Sequence, residues 1–322
     1  VRILITGVTG FVGTWLARSL LEENGDAVVW GMARWDSDRS AVGSLPGLRL
    51  VSGDLTDGPS LLRVLQESRP DVVYHLAAAS TVASSWSTPA RILEVNVVGQ
   101  ANLFEAIRAL ELSPVVVVPC SAEAYGRVDP SRCPLTEEEP FRPVSPYAVS
   151  KAAQDLMAYQ LHASRGLPVI RMRPFNHTGP GRPDRFVASS FARQLAEMEA
   201  GLRPPELHVG NLDAIRDFTD VRDVVRAYRL AAERCTPGGA YNVCSGRPVA
   251  VREILEILVS LSTVEPHVMV DPERMRPADI PELWGSAERL HRATGWAPSI
   301  PLERTLGDLL EGWRRRLARE AP

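Results

Sequence analysis

Gly7, Gly10 and Gly13 stand where the first apolar run of the chain ends and a segment with helical periodicity begins. This constrains the fold more than any other feature. The first glycine permits a tight turn. The second lets the backbone approach a pyrophosphate, and the third lets helix and strand pack closely. The helix start that follows offers free N–H groups and the positive end of a dipole. Thr9, Phe11 and Val12 complete the turn. A strand, a glycine turn and a helix in this order predict dinucleotide binding. The spacing is GxxGxxG rather than GxGxxG.

Beyond the turn, β-branched runs alternate with helical stretches. Strands are expected over 2–6, 27–32, 48–52, 71–76, 115–120 and 167–172, and helices near 11–23, 59–68, 90–111 and 146–165. Val115 to Val118 is apolar without alternation, as in a strand covered on both faces. This rhythm implies right-handed βαβ units and an α/β fold, a Rossmann-like doubly wound parallel sheet. Ligands of such sheets lie beyond the carboxyl ends of the strands. After residue 174 prolines interrupt the chain, among them Pro180, Pro183, Pro204 and Pro205. Helices are expected there near 185–200, 221–234, 251–262 and 302–318. The chain therefore divides into 1–173, a cofactor-binding domain, and 174–322, mainly a smaller mixed α/β substrate lobe. Segments of the second part are free to return to the sheet. With 322 residues, two such units are the expected number at about 150 residues each.

Hydrophobic residues make up 45% and charged residues 23%, which excludes a disordered chain. The net charge of −3 points to neither nucleic acid nor an anionic membrane as partner. No apolar run reaches the roughly 18 residues of a membrane span. The opening residues read as a buried strand rather than a signal peptide. The four cysteines, Cys120, Cys133, Cys235 and Cys244, show no metal-type spacing. Reduced thiols in a cytoplasmic protein and no metal site are expected.

The second strand delivers Arg34, where a NAD-selective site usually has an acid. A guanidinium suits a 2′-phosphate, so NADP(H) is favoured and NAD(H) is the alternative. Asp54-Leu55, after the third strand, offers an adenine contact.

Lys151 is the only lysine of the chain, four residues after Tyr147 in a helical stretch. Residues at this spacing share a face. An ammonium beside a phenol favours phenolate and lowers the tyrosine pKa, producing an acid/base suited to a carbonyl or alcohol. Ser121 follows the fifth strand, where its hydroxyl can bond a substrate oxygen. Glu123, two residues on, is a candidate base or sugar-hydroxyl partner. Cys120 ends a buried strand and is not expected to be a nucleophile.

With these residues in place, the chain resembles the extended short-chain dehydrogenases/reductases of nucleotide-sugar metabolism over essentially its whole length. That family carries the glycine turn, the Asp-Leu, a Leu-Ala-Ala after the fourth strand (Leu76, Ala77, Ala78), Ser…Tyr-x-x-x-Lys, and Arg-Pro-x-Asn (Arg173 to Asn176). The segments 175–181, 209–214, 216–223 and 274–277 are similar to the enzymes of GDP-mannose metabolism. The group most resembled is the reductases of GDP-4-keto-6-deoxy-D-mannose, which form GDP-D-rhamnose. The GDP-mannose 4,6-dehydratases are the alternative, and they differ at the glycine turn and at 216–221; another nucleotide-sugar epimerase or dehydratase of the same family is a further one. The resemblance implies hydride delivery to C4, with Tyr147 protonating the alkoxide, Ser121 bonding the same oxygen and Lys151 holding the cofactor ribose. It assigns substrate contacts to Ser80, Ser121, Glu123, Asn176, Val187 and Asn211, and diphosphate contacts to Arg216 and Arg276. It implies a homodimer through the helix bearing Tyr147 and the long helix before it. The face of Ala152, Ala153, Leu156, Met157 and Leu161 serves either that interface or the core.

Overall fold

The structure is a computed structural model describing residues 1–23, 25, 27–80, 82–275 and 280–320. Six parallel strands lie close to their expected places: β1 Arg2–Thr6, β2 Val28–Ala33, β3 Leu48–Ser52, β4 Val72–His75, β5 Val115–Pro119 and β6 Val169–Pro174. A seventh strand, Ala240–Val243, returns from the second part of the chain and pairs parallel with β6. The order is Ala240–Val243, β6, β5, β4, β1, β2, β3. The strand order reverses between β1 and β4, the place where such sheets leave a crevice at their carboxyl edge.

Local chemistry explains the two helices that matter most. Helix α1, Phe11–Glu23, buries Gly13, Leu16, Ala17 and Leu20, one stripe of a 3.6-residue repeat facing the sheet. The helix Pro146–Arg165 starts with proline at its first position and with the Ser145 side chain accepting the Ala148 N–H at 3.1 Å. It ends at Gly166, whose positive φ of 70° suits a left-handed cap.

The stretch expected as one helix over 90–111 is interrupted. Helix Pro89–Leu93 passes through a π-helical turn, Glu94–Val98, into helix Gly99–Ala109. Within the turn buried Asn96 accepts the Ala79 N–H at 2.8 Å and donates to Ala79 O and Ser150 Oγ. Those tertiary bonds offset the weaker ladder of a π turn, a device common at functional sites.

Residues after 174 build short sheets and a second core. Helices Val187–Glu199, Val251–Ser260 and Leu302–Glu320 enclose Phe191, Leu195, Ile254, Leu258, Leu306 and Leu309. Helix Val221–Arg234, in contrast, packs Val224, Val225 and Tyr228 into the same core as α1 and β1. All four cysteines are free thiols. Among the described residues no helix is long and apolar enough to cross a membrane.

Candidate active site

A cleft of about 1280 Å³ runs along the carboxyl ends of β1, β2, β4 and β5 and under the second part of the chain. All the residues singled out for catalysis, cofactor or substrate line it, save Arg276, which lies outside the described residues.

The glycine turn sits at one end. Gly7 has φ 70°, and a Cβ there would lie 2.7 Å from Ala77 Cα. A Cβ on Gly13 would lie 2.3 Å from Gly7 O. The Gly7 and Gly10 N–H groups donate to Met32 O and Gly7 O, both at 3.0 Å. The first turn of α1, with Phe11, Val12 and Gly13, leaves N–H groups without helical acceptors and faces the cleft beside Thr9. A pyrophosphate fits this cradle, because side chains are missing where one would fill it and donors point in.

Arg34 lies half-exposed at the cleft wall and pairs with Asp36 at 3.3 Å. Arg39, close by, donates to Ser52 Oγ at 2.8 Å and to Arg34 O at 3.3 Å. Asp54 lines the cleft with Leu55, but its Oδ1 accepts the Thr56 N–H and hydroxyl, both at 2.8 Å. Leu76, Ala77 and Ala78 form the floor after β4. The Ala77 N–H donates to Thr6 Oγ1 at 3.1 Å, which in turn bonds His75 Nδ1. Ser80 is an exposed residue at the rim.

At the centre the Ser121 side chain hydrogen-bonds Tyr147 and also accepts the Glu123 N–H at 3.2 Å. Ser121 starts the 3₁₀ turn Ala122–Tyr125, which brings the Glu123 carboxylate to the same wall of the cleft as the phenol. Lys151 is buried behind them. Its Nζ donates to Pro119 O at 3.0 Å and to Gln154 Oε1 at 2.7 Å.

The tyrosine corrects one expectation. Burial pushes its phenol up to about 12, with the Ser121 bond and the Arg182 charge opposing and the Glu123 charge adding. Lys151 does not bring the value towards neutrality. Its ammonium bonds Pro119 O and Gln154, and burial lowers its own pKa to about 8. Tyr147 is therefore a protonated acid at neutral pH. Cys120, as expected of a strand end, is buried with its thiol pushed up by burial.

The opposite wall comes from the second part of the chain. Asn176, Val187, Asn211 and Arg216 all line it. Arg216 is buried and donates to Ile215 O at 2.8 Å. His177 stacks on Phe11 with rings 3° from parallel, and Nδ1 bonds Phe175 O at 3.0 Å. Burial, then the Arg182 charge, lowers its pKa to about 3, so the ring stays neutral.

Arg182 is the residue that sequence reasoning missed. Its guanidinium lies 4.9 Å from the Phe11 ring centre and 3.5 Å from that of Phe186. Burial lowers its pKa to about 9. The chain has 36 lysines and arginines, of which 36 − 1 = 35 are arginines, so this one carried no signal except its place in the turn Gly179-Pro180-Gly181.

The family profile described as GDP-mannose 4,6 dehydratase matches residues 4–309. The GDP-6-deoxy-D-mannose reductase of Pseudomonas aeruginosa is 37% identical over 99% of both chains. A GDP-mannose 4,6-dehydratase of Vibrio cholerae is 31% identical over 95% of this chain and 92% of its own. The solved structure of RMD from Pseudomonas aeruginosa complexed with NADPH superposes with a TM-score of 0.86. It shares 36% identity, and the match covers 98% of this chain and 100% of that one.

Proposed function

We propose that this chain, which belongs to the GDP-mannose 4,6-dehydratase family of extended short-chain dehydrogenases/reductases, reduces the C4 ketone of GDP-4-keto-6-deoxy-D-mannose with NADPH. The observation that carries this reading is the end-to-end match, at 37% identity, to a GDP-6-deoxy-D-mannose reductase. GDP-D-rhamnose is the product we assign.

When bound, NADPH supplies the hydride for C4. The glycine turn and the start of α1 would hold its pyrophosphate, and Arg34 a 2′-phosphate. Leu76, Ala77 and Ala78 would line its path towards the centre. The chain's own residues handle the oxygen. Tyr147, kept protonated by burial, donates its proton to the developing alkoxide. Ser121 hydrogen-bonds the phenol and is placed to bond the same substrate oxygen. Arg182 adds positive charge beside the phenol, favouring the phenolate left after transfer. Lys151, behind the phenol, would hold the cofactor ribose. Arg216, Asn176, Asn211 and Val187 receive the GDP-sugar, with Ser80 and Glu123 near the hexose and Arg276 assigned to the diphosphate.

The test follows NADPH oxidation at 340 nm, a wavelength at which the reduced nicotinamide absorbs. Consumption is expected with GDP-4-keto-6-deoxy-D-mannose and not with GDP-mannose, and NMR of the product reads C4. Conversion of GDP-mannose to the keto sugar without net oxidation would sink the reductase reading and make Glu123 the base of a dehydratase. In the same assay Arg34→Ala should raise KM for NADPH by roughly 10-fold or more, the scale of one charge-assisted hydrogen bond, and leave KM for NADH unchanged. Equal effects on both cofactors would remove Arg34 from 2′-phosphate recognition.

Leu93 at the end of helix Pro89–Leu93, Val98 at the end of the π turn, and Val149, Leu156 and Tyr159 on helix Pro146–Arg165 are exposed apolar side chains. Met157 and Leu161, in contrast, pack into the core. We assign the exposed face to a second copy of this chain, a homodimer of twice 35.3 kDa by sedimentation. A cytoplasmic setting, where NADPH and GDP-sugars are made, fits this chemistry.

A further inference from the structure

A buried ammonium needs acceptors, and the only lysine of this chain finds one in an unusual place. Gln154 is one turn further along the helix, and its Oε1 accepts from Lys151 Nζ at 2.7 Å. Its Nε2 donates to Gln100 Oε1 at 2.9 Å, across to helix Gly99–Ala109. Gln100 Nε2 then donates to the backbone oxygen of Gln154 at 2.9 Å. Gln100, Lys151 and Gln154 are all buried.

The two ends of an amide have nearly the same shape, so only the bonding network decides which end faces which neighbour. Here the decision is made in sequence. The Gln154 carbonyl captures the Gln100 NH2 group. The Gln100 oxygen is thereby turned to the Gln154 NH2 group, and the Gln154 oxygen to the ammonium. We propose that Gln100 and Gln154 form a two-amide clamp that positions the Lys151 ammonium, Gln154 by direct contact and Gln100 through Gln154. The proposal rests on the reading above, in which Lys151 serves the cofactor ribose.

A neutral acceptor has a consequence that a carboxylate would not. It satisfies a hydrogen bond without offsetting the loss of hydration of the charge. Burial accordingly lowers Lys151 to about 8, opposed by Cys120. The other groups around it do not restore the charge balance. His75, at the end of β4, is held neutral by burial and by Lys151 itself. Cys120, after β5, is held as a thiol. Asp155 is engaged by Arg171 and Arg173 from β6. Glu123 acts on Tyr147, and Arg91 pairs with Glu94 at 2.8 Å on the neighbouring helix.

A single lysine makes the test direct. Protein grown with [ε-¹³C]lysine has one lysine side-chain resonance, and its shift against pH titrates Lys151 without any sugar substrate. The parent midpoint is expected near 8. Gln154→Glu, the same size with an opposite charge, should raise the midpoint by about one unit or more. Gln154→Leu and Gln100→Leu should both lower it, although residue 100 does not touch the lysine. The alkaline fall in turnover should move with each midpoint.

A Gln154→Glu midpoint equal to that of the parent would overturn the proposal, and this near-isosteric variant keeps it testable if a leucine variant does not fold. A Gln100→Leu midpoint equal to that of the parent would overturn the relay. A midpoint that moves while the alkaline limb of turnover stays would overturn the positioning role. A parent that titrates as expected but oxidises no NADPH would instead remove the reductase reading.

Discussion

Tyr147→Phe is expected to lower turnover by about 10²–10⁴-fold, the range of a positioned general acid. NADPH affinity should remain near that of the parent, because the phenyl ring still fills the same space. The loss should fall on kcat and on kcat/KM alike, since the proton is given only in the transition state. The phenol is pushed up to about 12, so at neutral pH the acid is present in its donating form before each turnover. Burial achieves this against the Ser121 hydrogen bond and the Arg182 charge, which both favour the phenolate. An activity within a few-fold of the parent would mean that another group, with Ser121 the nearest, delivers the proton.

Gly13→Ala should weaken NADPH binding by about tenfold or more and lower the melting temperature by roughly 2–6 °C, as overpacking of one methyl group does. The added Cβ would sit 2.3 Å from Gly7 O, 2.8 Å from Val8 Cα and 2.9 Å from Val8 O. All three are backbone atoms, so the turn itself has to move. That turn is where the pyrophosphate is expected to lie, and the N–H groups of α1 would move with it. Gly307→Ala is the control. It replaces a glycine inside helix Leu302–Glu320, where the new Cβ would meet Leu261 Cδ1 at 3.8 Å, an ordinary contact, and it should leave both quantities unchanged or slightly improved. Isothermal titration with NADPH and thermal unfolding separate the two variants. Unchanged binding in Gly13→Ala would show that the cofactor does not depend on the close approach at this turn.

The inner strands of the sheet were legible because most of their residues are buried on both faces. Val115 to Val118 alone implied a covered strand, and the observed β5 is one. Helix ends were legible where caps are local, as with Ser145, Pro146 and Gly166. The break at Glu94–Val98 was not, because its cause is Asn96 reaching a backbone 17 residues away and Ser150, 54 residues away. Arg182 was hidden for a similar reason. Phe186 is four residues away, but Phe11, the ring that brings its guanidinium to the glycine turn, is 171 residues distant.

By itself, the sequence determined the glycine turn, the alternating units and the Ser121, Tyr147 and Lys151 set, because each depends on residue type at fixed local spacing. Only the tertiary structure decided how those groups are charged. Burial raised Tyr147 and lowered Lys151, and Pro119 O and Gln154 took up the ammonium assigned from spacing to the phenol. Spacing along a helix says which side chains can meet. Desolvation and the competing acceptors around them, which come from distant parts of the chain, determine which protons they keep.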